Sequence, residues 1–357
     1  MTGASESAPI RALVVDDSGF MRIALRKIIE ADGDIRVVGE ARNGREAIRM
    51  AQELKPDVVT MDIVMPEMDG IEATRRIVKE VAPAPRVVMV SASTQEGADA
   101  TLKALRAGAA DFISKSTSFA DTDLGSLDAE LRHRLRQWRS STSRTPSDPV
   151  HDKTETVAEA PAGTAADLIV IAASTGGPVA LPVLLSAMGV IEPPVVIAQH
   201  MPEVFTRSLA DHLASEIGLD VREGAMHARL APRTVTILPG GQDAVIAFGR
   251  SGSFELRPGS GPGLVHPSGD LLLQSAALTA RCPVAVILTG MGSDGATGAA
   301  AFRRRGRPVL VQTPESCVVG GMPSAAIAAG VATSVLGLEE IGRKLAFLSR
   351  GRAPSEQ

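Results

Sequence analysis

Tyrosine is absent from the 357 residues, tryptophan occurs once, and aromatic residues make up 3% of the chain. The stacking platforms that hold single-stranded nucleic acid are therefore missing, and Val, Leu, Ile and Ala must fill the cores. Only two cysteines occur, Cys282 and Cys317, neither in a C-x-x-C or His-rich pattern. That argues against a disulfide framework or a zinc site, and both are expected as small buried apolar residues. Charge of one sign is lacking too: 37 Lys and Arg face 41 Asp and Glu, a net charge of -4, so no electrostatic footprint for nucleic acid exists. No apolar run approaches the roughly 18 residues that cross a bilayer. The stretch MTGASESAPIRALVVDDSG has no basic region followed by a hydrophobic core and cleavage site. The expectation is a cytoplasmic, monomeric protein without nucleic-acid partner or direct membrane insertion.

What is present is a repeated alternation. IRALVV, IRVVGEA, DVVTM, RVVMV and DFI are short β-branched runs separated by amphipathic stretches. Continuous apolar strands between helices predict a parallel sheet covered on both faces, a doubly wound (βα)5 domain over residues 10–139. Its last helix, LGSLDAELRHRLRQW, carries Leu124, Leu127, Leu131, Leu135 and Trp138 on one stripe. Residues 140–165 are rich in Ser, Thr, Pro and acidic side chains and read as a flexible linker. From 166 to 350 the alternation resumes with DLIVIAAS, PVVIAQ, TVTILPG, PVAVILTG and PVLVQT, a second, mainly parallel α/β domain. Between 219 and 270 the helical period fades, and an antiparallel hairpin or edge region inserted in that sheet is expected.

In parallel sheets, ligands bind beyond the carboxyl ends of the strands. Asp16 and Asp17 end the first strand and Asp62 ends the third, so three carboxylates converge on one edge. Their repulsion calls for a cation, and oxygen-only ligands suit Mg²⁺. Ser91 and Lys115 end two further strands, supplying the hydroxyl and the ammonium that a phosphoryl group on a carboxylate would need. In the second domain IAASTGG ends an apolar strand at Ser174. No lysine follows Gly176 or Gly177 as a P-loop demands, and G-x-G-x-x-G is missing. His133, His151 and His212 read as surface residues, and no strand end fixes His227 or His266. His200 and Asp294 both follow strands, so Ser174, His200 and Asp294 can meet as nucleophile, base and orienting acid. The glycines would open the N–H groups of Thr175, Gly176 and Gly177 to an oxyanion at a helix start. Pro178 suits the first turn, whereas Pro182 predicts a late start or a kink. Spacing alone leaves a structural turn with a satisfied core histidine as the alternative.

Residues 10–139 resemble a response-regulator receiver domain. The resemblance implies that Asp62 accepts a phosphoryl group from a histidine kinase, that Asp17, Asp62 and the Val64 carbonyl bind Mg²⁺, and that Asp16 supports the metal's water shell. Ser91 and Lys115 would sense the phosphoryl group, with Phe112 as the aromatic switch residue. The usual Lys-Pro is here Lys115-Ser116. ASTGG, QHMP, LTGMGSDG and GMPSAA, over about 166–350, resemble the catalytic domain of chemotaxis protein-glutamate methylesterases. This implies hydrolysis of glutamate methyl esters on chemoreceptor cytoplasmic helices, with methanol released, and deamidation of particular glutamines. Ser174, His200 and Asp294 would form the triad, the backbones of Thr175 and Met291 the oxyanion donors, and the esterase chemistry would need no cofactor. The unphosphorylated receiver would block the active site until Asp62 is phosphorylated. Two departures stand out: Gln242 and Asp243 replace a polar anchor, and His266-Pro267-Ser268-Gly269-Asp270 stands where the family has Arg-Pro-Ser-Val-Asp. A phosphorylation-controlled binding module with a degenerate or redirected esterase site is the alternative. A DNA-binding response regulator is disfavoured for want of a basic helix-turn-helix.

Overall fold

The computed structural model describes residues 8–92, 94–115, 131–136, 165–250, 252–261 and 265–350. The expected linker, Ser116, Leu124, Leu127, Trp138 and His151 lie outside the described residues or nearly so, the linker's described part being residue 165 alone. The chain divides into two compact units, Met1–Ser147 and Asp148–Gln357.

In the first unit strand and helix alternate as β1 (Ile10–Val15), α1 (Gly19–Glu30), β2 (Ile35–Ala41), α2 (Gly44–Leu54), β3 (Val58–Asp62), α3 (Gly70–Glu80), β4 (Arg86–Ala92), α4 (Gln95–Arg106) and β5 (Asp111–Lys115), with a helical stretch α5 at 131–136. The strands pair in the order β2-β1-β3-β4-β5, and every pairing is parallel. Local chemistry starts the helices. Ser18, Asn43, Asp69 and Thr94 each accept a backbone N–H from the first turn of the helix that follows. Leu131 and Leu135 of the expected apolar stripe are buried.

The second unit runs β6 (Leu168–Ala173), α6 (Gly177–Met188), β7 (Val195–Gln199), α7 (Glu203–Ile217), β8 (Asp220–Glu223), β9 (Thr234–Ile237), β10 (Ala244–Phe248), β11 (Phe254–Pro258), α8 (Gly269–Thr279), β12 (Pro283–Ile287), α9 (Ala296–Arg304), β13 (Val309–Gln312), α10 (Gly321–Ala328), β14 (Ser334–Leu336) and α11 (Leu338–Arg350). Seven strands form one parallel sheet in the order β14-β13-β12-β6-β7-β9-β8. The antiparallel hairpin exists but is not inserted in that sheet: β10 and β11 make a two-stranded sheet of their own. The two strands before it, β8 and β9, join the large sheet in parallel instead. Central strands are buried on both faces, as βαβ crossovers dictate, and β6 has no exposed residue.

One core lies under α8 and α9, where Leu168, Val170 and Ala172 of β6 meet Leu272, Leu273, Ala276, Ala299 and Phe302. These two helices approach until backbone touches backbone. A Cβ on Gly298 would lie 2.3 Å from the Asp270 carbonyl oxygen, so only glycine fits there. Helix α6 begins at Gly177 without delay and keeps both Pro178 and Pro182 inside it, so the late start does not occur. The two cysteines are half-buried rather than buried, and burial pushes the Cys317 thiol up to about 12.

Candidate functional sites

In both parallel sheets there is a point where neighbouring strands lead off in opposite directions along the strand order, and the reactive residues collect there. In the first unit β1 and β3 are neighbours whose onward connections leave in opposite directions. Asp16 and Asp17 follow β1 and Asp62 ends β3, and ligand atoms of the three carboxylates lie within 4.8 Å of one another. The Lys115 ammonium bridges two of them, donating to Asp62 Oδ1 at 2.7 Å and to Asp16 Oδ2 at 3.0 Å. Burial raises the Asp62 carboxyl above its ordinary range, against the pull of Lys115, and the nearby Asp16 charge adds to the rise. For Lys115 burial works the other way but is outweighed by its two carboxylate partners, which hold the ammonium above its usual range.

Val64 lies in the loop after β3 with its side chain exposed, and its carbonyl accepts no hydrogen bond among the described residues. Ser91 is buried at the end of β4, its hydroxyl donating to the Gly97 carbonyl at 3.1 Å, and Phe112 is buried on β5. All these residues thus stand at or beside the carboxyl edge, except Phe112, which lies near the amino end of β5.

In the second unit the reversal lies between β12 and β6. Ser174 follows β6, His200 follows β7 and Asp294 lies in the loop after β12, so all three come from adjacent strands of the sheet. The last rung of the β6–β7 ladder is the His200 N–H on the Ala173 carbonyl at 3.0 Å, which sets Ser174 and His200 side by side. His200 Nε2 meets Asp294 Oδ2 at 2.7 Å. That leaves Nδ1 as the ring nitrogen for the serine proton. No hydrogen bond is made by the Ser174 hydroxyl among the described residues, in keeping with catalytic contacts that tighten only when substrate binds.

Asp294 is held by the start of a helix. Its Oδ2 also accepts the Gly269 N–H at 2.5 Å, and its Oδ1 accepts the Asp270 N–H at 2.8 Å and the Ser268 hydroxyl at 3.4 Å. Burial opposes its ionisation, but the His200 bond and these N–H groups outweigh it and hold the carboxyl below the ordinary range. The favour is returned: Asp270 accepts the Gly295 and Gly298 N–H groups at 2.9 and 2.7 Å, capping α9, the helix that follows Asp294. Burial nevertheless raises the Asp270 carboxyl.

Of the three N–H groups expected to face an oxyanion, that of Gly177 is already spent on the Ser174 carbonyl at 2.8 Å. It is taken by the turn itself. Thr175 is buried, and its carbonyl accepts from the Thr289 hydroxyl at 2.9 Å. The Met291 N–H has no hydrogen-bond partner among the described residues. Its neighbour Gly290 packs on Ser174 so closely that a Cβ there would lie 2.7 Å from Ser174 Cβ.

Comparison with known proteins decides what family carries this arrangement. The family model CheB methylesterase matches residues 169–345, and the response regulator receiver domain model matches 12–123. A protein-glutamate methylesterase/protein-glutamine glutaminase of Thermotoga maritima is 40% identical, covering 94% of this chain and 97% of its own. Proteins of the same name from Alkalilimnicola ehrlichii and, as number 5, from Myxococcus xanthus are each 38% identical over 95% and 96% of this chain and 99% and 98% of theirs. The chain belongs to the protein-glutamate methylesterase/protein-glutamine glutaminase family.

Within this methylesterase the two departures noted in sequence meet each other. Asp243 Oδ1 accepts His266 Nδ1 at 3.0 Å and the Ser268 N–H at 2.8 Å, and Oδ2 accepts the Gly261 N–H at 3.0 Å. Burial raises that carboxyl, but His266 and the two N–H groups outweigh it and leave it below the ordinary range. His266, expected to be unfixed, is therefore anchored by Asp243, and Ser268 carries the chain of contacts on to Asp294. A carboxylate and an imidazole arriving together at two altered positions is a signal the sequence did hold. Sequence reasoning also missed Gln199, Asp270, Thr289 and Gln312, each of which hydrogen-bonds backbone groups near Ser174, His200 and Asp294.

Proposed function

We propose that this chain hydrolyses glutamate methyl esters on the cytoplasmic helices of chemoreceptors, releasing methanol, and deamidates particular receptor glutamines. The observation that carries the reading is the half-buried His200–Asp294 pair at 2.7 Å on the strand ends next to Ser174. Ser174 Oγ attacks the ester carbonyl while His200 takes its proton, and Asp294 holds the ring and stabilises the imidazolium. His200 returns the proton to the leaving methanol. Water, deprotonated by His200, then cleaves the acyl-enzyme and restores the serine. Thr175 and Met291 flank Ser174 and supply the backbone donors for the oxyanion. No organic cofactor enters these steps.

Control belongs to the first unit. Asp62 accepts a phosphoryl group from a histidine kinase, and Ser91, Lys115 and Phe112 answer to it. The carboxylates of Asp16, Asp17 and Asp62 with the Val64 carbonyl form an all-oxygen set of the kind Mg²⁺ takes, and the ion would neutralise charge on the phosphoryl oxygens. Phosphorylation then raises esterase activity. The test is methanol release from a methylated receptor fragment with and without a small-molecule phosphodonor. Ser174→Ala is expected to abolish release, and Asp62→Asn to keep basal release while losing the activation. Unchanged release by the serine variant refutes the triad. Receptor binding by the wild type without methanol would favour the binding-module alternative.

A further inference from the structure

We infer that Gln199 is a positioning residue of the esterase: its carboxamide ties the main chains of the nucleophile and the base into one unit. This rests on the triad reading above. The β6–β7 ladder ends where His200 N–H meets the Ala173 carbonyl. Beyond that rung no backbone hydrogen bond joins the two catalytic residues among the described residues. Gln199, the last residue of β7 and 1% exposed, takes over there. Its Nε2 donates to the Ser174 carbonyl at 2.9 Å and to the His200 carbonyl at 3.3 Å, so both amide hydrogens are used on the two residues that must stay in register.

The rest of the side chain argues that this is its purpose. Gln199 Oε1 is buried and has no hydrogen-bond partner among the described residues. It stands 1.9 Å from where a Cβ on Gly177 would lie, so the glycine makes room for it and offers only a Cα–H in return. Turning the amide over gives no relief, because Oε1 would then face two carbonyl oxygens. An apolar side chain of similar length would end β7 without leaving a polar atom unsatisfied. A buried carboxamide that costs stability at one end is accounted for by what its other end holds. Since the Ser174 hydroxyl has no hydrogen bond of its own among the described residues, its placement relative to the imidazole is set through the main chain: by the Ser174 N–H on the Thr289 carbonyl, the His200 N–H on Ala173, and this clamp beyond that last rung.

The experiment uses the full chain with phosphodonor. Gln199→Met keeps length and removes both donors. Gln199→Glu keeps shape and sets an anionic oxygen against the two carbonyls. Each is measured for kcat and KM of methanol release, for thermal unfolding, and for the rate at which an organophosphonate ester labels Ser174. The expected result for both is a roughly 10- to 100-fold fall in kcat with KM within about twofold, and a parallel fall in labelling. Should the Met variant fail to fold, the near-isosteric Glu variant decides. Variants with kcat and labelling within about threefold of the wild type, or with KM rising in step with the loss, overturn the inference while the active wild type leaves the esterase reading standing. A wild type that releases no methanol overturns that reading, and this inference with it.

Discussion

Replacing Asp294 by asparagine keeps the shape of the acid and removes its charge, and the geometry says what must break. The carboxylate satisfies four donors: His200 Nε2 and the Gly269 N–H on Oδ2, the Asp270 N–H and the Ser268 hydroxyl on Oδ1. An amide has one oxygen. If it keeps Asp270 and Ser268, its NH2 faces both the Gly269 N–H and the imidazole, and donating to Nε2 forces the ring proton onto Nδ1, the nitrogen Ser174 needs unprotonated. If it turns round, the NH2 meets the Asp270 N–H instead. The first arrangement costs catalysis, with kcat falling about 10³- to 10⁴-fold and KM little changed. Either one leaves a buried N–H unpaired and strips an anion from the start of α8, together about 2–4 kcal/mol. That is a fall of roughly 5–15 °C in the unfolding of the catalytic unit. Because the folded carboxyl titrates below its unfolded value, its stabilisation is complete above about pH 4 and is lost as pH drops through the folded pKa. The gap in unfolding temperature between wild type and Asp294→Asn should therefore be constant from about pH 5 to 8 and close below about pH 4. Methanol release and calorimetry across pH provide the check. An Asn variant keeping more than about a tenth of the wild-type kcat, or a gap that widens in acid, refutes the argument.

Gly290→Ala places a Cβ 2.2 Å from Met322 Sδ and 2.7 Å from Ser174 Cβ, so the loop bearing Met291 must move off the nucleophile. A loss of about 1–3 kcal/mol in stability and a fall in kcat exceeding that of an equally destabilised core variant are expected from denaturation and methanol assays. Asp243→Asn cannot accept from His266, Ser268 and Gly261 at once, and should cost about 1–3 kcal/mol above pH 4, less in acid where the wild-type carboxylate protonates. Urea midpoints at pH 7 and pH 3 measure it, and equal losses at both would contradict the anchoring role.

The meeting of Ser174, His200 and Asp294 at one edge was legible because strands announce their ends. An apolar run that stops at Ser174, at His200 or shortly before Asp294 delivers its next residues to one edge of any parallel sheet, whatever the strand order. The order itself, with β12 beside β6, is not written in any local run, nor is the three-residue strand β14, too short to show a period. The hairpin was visible as lost helical period, but its separation from the large sheet was not, since pairing partners are set by packing across α8. Gln199 looked like one more strand residue before a histidine, and Asp270 like an ordinary acid in a first helical turn.

What made those residues opaque is that the hydrogen bonds each one makes reach backbone beyond its own element. Asp294 accepts from the start of α8 and Asp270 from the start of α9, so two helix starts hold each other and Asp294 is fixed between them. The sheet places the reactive residues to within a rung, but a rung is coarser than the fit a proton transfer requires. The finer placement falls to side chains that cross from one strand end or helix start to the next. At this edge the departures at Asp243 and His266 preserve such a crossing, joined through Ser268 to the acid they flank. Changes around this edge that keep the crossing leave Asp294 where His200 can reach it, and changes that break it loosen the carboxylate that His200 meets.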